Sequence, residues 1–138
     1  MAKYFSFAEL TATSTGLPNV PTWEQVENLK YLADWLDDVR EYFGSPIRVN
    51  CAFRSKAVNA AVGGVSTSAH LDGLAADICA WSGKESDNRA LLAACEDLCF
   101  DQLVHYHQVA GDESTPIRFI HFGLRESMAD FRNEILCK

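Results

Sequence analysis

The sequence predicts an α+β fold, an antiparallel sheet with flanking helices, and three observations carry that prediction. Val26, Leu29, Leu32, Ala33, Leu36, Val39 and Phe43 form one apolar stripe at helical spacing. Two short segments alternate with period two instead. Leu74, Ala76 and Ile78 stand against Ala75, Asp77 and Cys79, and Ile120, Phe122 and Leu124 against Phe119, His121 and Gly123. Strands joined by hairpin-like loops, with helices kept apart from them in sequence, suit an antiparallel sheet.

The elements follow in order. Phe5 to Leu10 reads as a short turn or helix, and Thr11 to Pro21 as loop, rich in Thr, Ser, Gly and Pro. Thr22 with Gln25 makes a capping box for a helix to about Phe43, which Gly44 and Pro46 end. Ile47 to Phe53 is a predicted strand. Ser55 can cap a short helix through Val62, broken by Gly63-Gly64. A strand follows around Asp77. Ser86 is the expected N-cap of a helix through Leu98. Asp101 to Tyr106 and Ile117 to Leu124 are strands separated by a loop at about 108 to 116, and Met128 to Leu136 suggests a closing helix. Nothing divides or repeats the chain, so residues 1–138 are expected to form one domain.

Composition narrows the function classes. The 138 residues are 48% hydrophobic and 22% charged, ordinary for a globular domain with its own core. The formal net charge of -7 argues against nucleic acid as a partner, and against long-range attraction to a polyanionic cell wall. No apolar run is long enough for a membrane-spanning helix. Five cysteines, with no Cys-x-x-Cys pair and no apolar leader, lead us to expect reduced thiols and a cytoplasmic chain as synthesised. Cys95 and Cys99, one helical turn apart, read as small core residues. A monomer is expected.

The chemistry gathers around Ser66 to Ala80. Asp77 is flanked on its own strand face only by Ala75 and Cys79, so it looks into space and not into packed bulk. A buried carboxylate needs a cation or several donors, since desolvating it alone costs several kcal/mol. His70 lies seven residues earlier. Imidazole and carboxylate together suit zinc, and a catalytic zinc takes three protein ligands and keeps one position open. His121, on a small-residue strand face beside Gly123, supplies the third. Asp72 is nearer His70 but sits in what reads as an exposed turn before Gly73.

Ser68-Ala69-His70, then Asp77-Ile78, then Phe119-Ile120-His121-Phe122 resemble the M15 zinc peptidases. Pro46 to Val49, Phe53-Arg54-Ser55, Val58 to Gly64 and Phe100 to Val104 extend the likeness over roughly residues 5 to 136. That family includes D-alanyl-D-alanine carboxypeptidases, D,D-dipeptidases and phage L-alanyl-D-glutamate endolysins, and the hedgehog signalling domain shares the fold. The resemblance implies a hedgehog/DD-peptidase-like fold, Zn2+ held by His70, Asp77 and His121, and a peptidoglycan peptide as substrate. It implies that Arg54 steadies an oxyanion or grips a substrate carboxylate. Ser68 either contacts substrate or turns the loop.

The sequence departs from the family at the general base. The position where relatives carry an acidic residue, at the end of the strand before the last ligand, falls on Tyr106, between His105 and His107. Arg118 stands three residues before His121, where some relatives place an aspartate. Tyr106 or His107 is then the expected proton-handling group, with His107 facing inward only if a bulge breaks the strand. Asp112 and Glu113 lie on a loop that could swing in. Three functions follow. The first is a zinc peptidase of the D,D-carboxypeptidase or endolysin kind, fitting equally a phage or prophage protein released through a membrane pore and a cytoplasmic enzyme on a soluble muropeptide. The second is a non-catalytic metal-binding module of a phage or cell-wall-associated protein. The third is a thiol hydrolase using Cys79 or Cys51 with a histidine.

Overall fold

A computed structural model describes residues 3–138. The architecture is α+β: a five-stranded sheet in the order β1-β2-β4-β3-β5, with helices against one face. The strands are β1 Ile47–Cys51, β2 Ala75–Ala80, β3 Gln102–His107, β4 Ile117–Gly123 and β5 Glu134–Cys137. The helices are α1 Phe7–Leu10, α2 Trp23–Phe43, α3 Lys56–Ala61 and α4 Glu85–Glu96.

Helix α2 forms as its stripe and caps require. The Thr22 hydroxyl accepts from Gln25 N while the Gln25 side chain accepts from Thr22 N, and Gly44 closes the helix at φ 83°. Leu29, Leu32, Leu36 and Val39 join Ile78, Leu91, Leu103, Ile120 and Phe122 in one buried cluster. Complete burial of a side chain such as Leu32 or Leu36 is worth about 1.5–3 kcal/mol. Alternation in β2, β3 and β4 gives this cluster one face of the sheet. The opposite face carries Asp77, Tyr106, Phe119 and His121, half-buried and turned toward a cleft.

Three expectations are corrected. The sheet is mixed, because β5 runs parallel to β3, pairing Gln102 with Glu134 and His105 with Cys137. The closing helix is a single 3₁₀ turn, Met128–Asp130, followed by that strand. Tertiary bonds override local propensity there: Arg132 donates to Asp101 from its backbone N and from Nε and Nη2. Asn133 then adopts φ 53°, which turns the chain along β3. Helix α4 starts earlier than expected, with Lys84 as N-cap and no side-chain capping bond. The Glu85 carboxylate is drawn instead to Arg89 Nε and Ile117 N.

Candidate metal centre

His70 lies in a 3₁₀ turn, Ala69–Asp72. The Ser68 hydroxyl accepts from His70 N at 3.3 Å, and Gly73 closes the turn at φ 75°. A Cβ on Gly73 would stand 2.9 Å from Gln25 O, so that position excludes a side chain by space as well as by backbone. Gln25 Nε2 and Asn28 Nδ2 donate to the carbonyls of Leu71 and Asp72, fastening the turn to α2. Asp77 and His121 are cross-strand partners on β2 and β4. Three distant stretches thus meet. Asp77 Oδ1 lies 3.2 Å from His70 Nε2 and 3.1 Å from His121 Nδ1. The two rings stand edge to face with centroids 5.1 Å apart.

The donor set fits a metal ion. His70 Nδ1 donates to Ala52 O at 2.6 Å, which fixes the proton on that nitrogen. Nε2, facing a carboxylate oxygen, must then carry either a second proton or a cation. Burial opposes charging His70, yet its bonds to Asp77 prevail and raise its pKa to about 9. Burial likewise opposes an ionised Asp77, and the two imidazoles overcome it, holding the carboxyl far below the usual range. The site therefore demands positive charge beside Asp77. Two imidazole nitrogens and a carboxylate oxygen, mutually within 4.8 Å, match the ligand types of a three-ligand zinc site.

The cluster sits in a cleft of about 660 Å³ that also takes in Arg54, Ser68, Gln102, Tyr106, Phe119, Arg125 and Arg132. Arg54 is held by its backbone N, which donates to His70 O at 3.1 Å, and its Nε is buried without a partner. Its Nη1 packs where Gly64 leaves room, 2.8 Å from a Cβ placed there. Tyr106 stacks on Phe119 with centroids 4.5 Å apart. Burial first, and the Asp77 charge second, push its phenol pKa up against the pull of Arg54. A phenol so placed keeps its proton and acts as a donor.

His107 does not join the cleft. It lies buried on the helix-packed face of β3 beside His105, with Nδ1 donating to Thr115 O at 2.7 Å. The register does shift between Tyr106 and His107, but the two histidines stay on one face. Asp72 is exposed and outside the cluster. Gly123 gives space to the His121 ring itself: a Cβ there would lie 3.1 Å from Nε2. Sequence reasoning missed the Ala52 carbonyl, which leaves no side-chain signature. It also missed Asp101, buried between Arg125 and Arg132 at the cleft wall. Those two arginines lie 24 and 31 residues after Asp101, and no spacing rule joins them to it.

The fold and the cluster define an α+β protein with a two-histidine, one-aspartate centre at the floor of an open cleft. A family model described as Peptidase M15 matches residues 3–110, well over half of the chain. The chain belongs to the Peptidase M15 family, and membership implies a hydrolase with a peptide substrate. The matched stretch contains Arg54, His70, Asp77 and Tyr106 and stops short of β4, which carries His121. No curated protein matches the chain. Among the described residues, no helix is long and apolar enough to cross a membrane.

Proposed function

We propose that this protein is a zinc-dependent peptidase that cleaves peptide stems of peptidoglycan, as a D,D-carboxypeptidase or an endolysin-type endopeptidase. The observation that carries the reading is the sharing of Asp77 Oδ1 by His70 and His121, a charge arrangement that calls for a cation. A bound zinc ion supplies Lewis acidity toward a carbonyl and lowers the pKa of water. The chain's own residues do the rest. Ala52 O and Asp77 orient His70. Arg54 presents a guanidinium to the developing oxyanion or to a substrate carboxylate. Tyr106, protonated, donates a hydrogen bond to the same oxygen or to the departing amine. A phage origin, with release to the wall through a membrane pore, suits a single small domain of this kind.

One observation favours a second reading, the non-catalytic metal-binding module. Besides Asp77, the carboxylate in the cleft wall is Asp101, and Arg125 and Arg132 occupy it. Among the described residues, no free carboxylate side chain lines the cleft to serve as a base.

Zinc-loaded protein assayed on purified peptidoglycan and on synthetic stem peptides separates the two. Release of stem fragments, lost with a chelator, restored by zinc and absent in Asp77→Asn, is the expected result. Tyr106→Phe is expected to lower kcat about 10- to 100-fold with little change in KM, the behaviour of a donor acting in the transition state. Zinc binding without cleavage of any stem peptide refutes the peptidase.

A further inference from the structure

A second cluster lies on the other side of the sheet. His105 and Cys137 are register partners on the parallel strands β3 and β5, and His107 stands two residues along β3 on the same face. One nitrogen from each imidazole and the Cys137 Sγ all lie within 4.8 Å of one another. We propose that His105, His107 and Cys137 form a second metal site, for a thiophilic divalent ion such as zinc, that ties the C-terminal strand to the sheet.

The tautomers suit this role. His107 Nδ1 donates to Thr115 O at 2.7 Å, which leaves Nε2 with its lone pair facing His105 Nδ1, also at 2.7 Å. A backbone carbonyl behind a ligating imidazole is the usual support for a metal ligand. Both histidines are buried, 6% and 2% exposed.

The geometric demand is small. Ligand atoms around a tetrahedral zinc are about 3.3–3.6 Å apart, from Zn–N of about 2.0 and Zn–S of about 2.3 Å. The two nitrogens, 2.7 Å apart, must part by roughly half an ångström, and Sγ, within 4.8 Å of both, has at most about 1.3 Å to draw in. On binding, the thiol proton goes to solvent and the His105 proton moves from Nδ1 to Nε2. Four residues of edge strand are weakly held by pairing alone, and a metal clip would stabilise them.

Cobalt titration tests this independently of the cleft. Wild-type protein given Co2+ alone is expected to bind two equivalents and to show a thiolate-to-cobalt charge-transfer band. Cys137→Ser should lose the band and one equivalent, while His121→Ala keeps the band and binds a single equivalent. One equivalent without a thiolate band in the wild type overturns the proposal. So does a band that survives in Cys137→Ser and disappears in His121→Ala, since the thiolate would then belong to Cys51, whose side chain lies within hydrogen-bond reach of His70.

Discussion

The pKa of His70 makes a quantitative prediction about metal-free protein. With Nδ1 bound to Ala52 O and Nε2 facing Asp77, the imidazole stays doubly protonated to about pH 9. A zinc ion must expel that proton, so each pH unit below 9 costs a factor of ten in apparent affinity, about 1.4 kcal/mol. Affinity should therefore climb about 150-fold between pH 6.5 and 9 and about twofold more before levelling off above. Asp77, already ionised across this range, adds no slope. Competition against a chelator of known proton linkage, run on the Cys137→Ser protein so that only the cleft site reports, measures the curve. Calorimetry in two buffers at pH 7.5 should find about one proton released per zinc. Stability of the metal-free protein runs opposite. A folded-state pKa raised above the unfolded 6.5 contributes fully below pH 6.5, and that contribution is lost as pH rises through 9. The loss is about 3 kcal/mol, visible as a falling urea midpoint. An affinity curve already flat at pH 7, or a urea midpoint constant from 6.5 to 9, would refute the shared-carboxylate account of His70.

Three substitutions probe the surroundings. Gly64→Ala drives a methyl into Asn59 Oδ1 and to within 2.8 Å of Arg54 Nη1, so it should cost about 1–3 kcal/mol and raise KM for peptide, read by thermal unfolding and kinetics. Gly63→Ala meets nothing within 4 Å and carries only the strain of φ 73°, so it should cost about 1 kcal/mol with kinetics unchanged. Arg132→Ala strips Asp101 of its Nε and Nη2 bonds and should cost about 1–2 kcal/mol at pH 7, tempered because the guanidinium is half exposed. Asp101 is held below its ordinary pKa, so this contribution exists above the unfolded value and is lost as pH falls. Urea midpoints of variant and wild type should converge as pH falls below the ordinary carboxylate range.

Local rules carried most of this fold. Helix α2 was legible in full because its capping box, stripe and terminal glycine all act within a few residues. The face of Asp77 could be read from Ala75 and Cys79, because a strand's period of two leaves no other choice. The failures share a cause as well. Residues 128 to 136 look helical locally, but Arg132 is claimed by a carboxylate 31 residues away, and the chain leaves Asn133 as a parallel strand. Ser86 is a good capping residue passed over because Glu85 is needed by Ile117 N, 32 residues on. His107 illustrates a subtler limit. A bulge that might turn it toward the cleft is indeed at Tyr106/His107, but its bonds to Thr115 O and His105 hold it with the helices.

The formal charge of -7 describes the cleft poorly. Arg54, Arg125, Arg132 and Lys138 line it against two carboxylates, Asp77 and Asp101. Asp77 faces two imidazoles and Asp101 two guanidiniums, so neither projects an uncompensated negative charge. At physiological ionic strength charges are screened beyond about 8 Å, so a ligand inside the cleft responds to these groups and not to the acidic remainder of the surface. For the wall substrate proposed above, a net charge of -7 offers no long-range attraction, and the cations of the cleft would meet a carboxylate only at short range. Such a protein gains no encounter rate from its net charge. On the proposed function, discrimination falls after contact, to Arg54 and the charges arranged around Asp77.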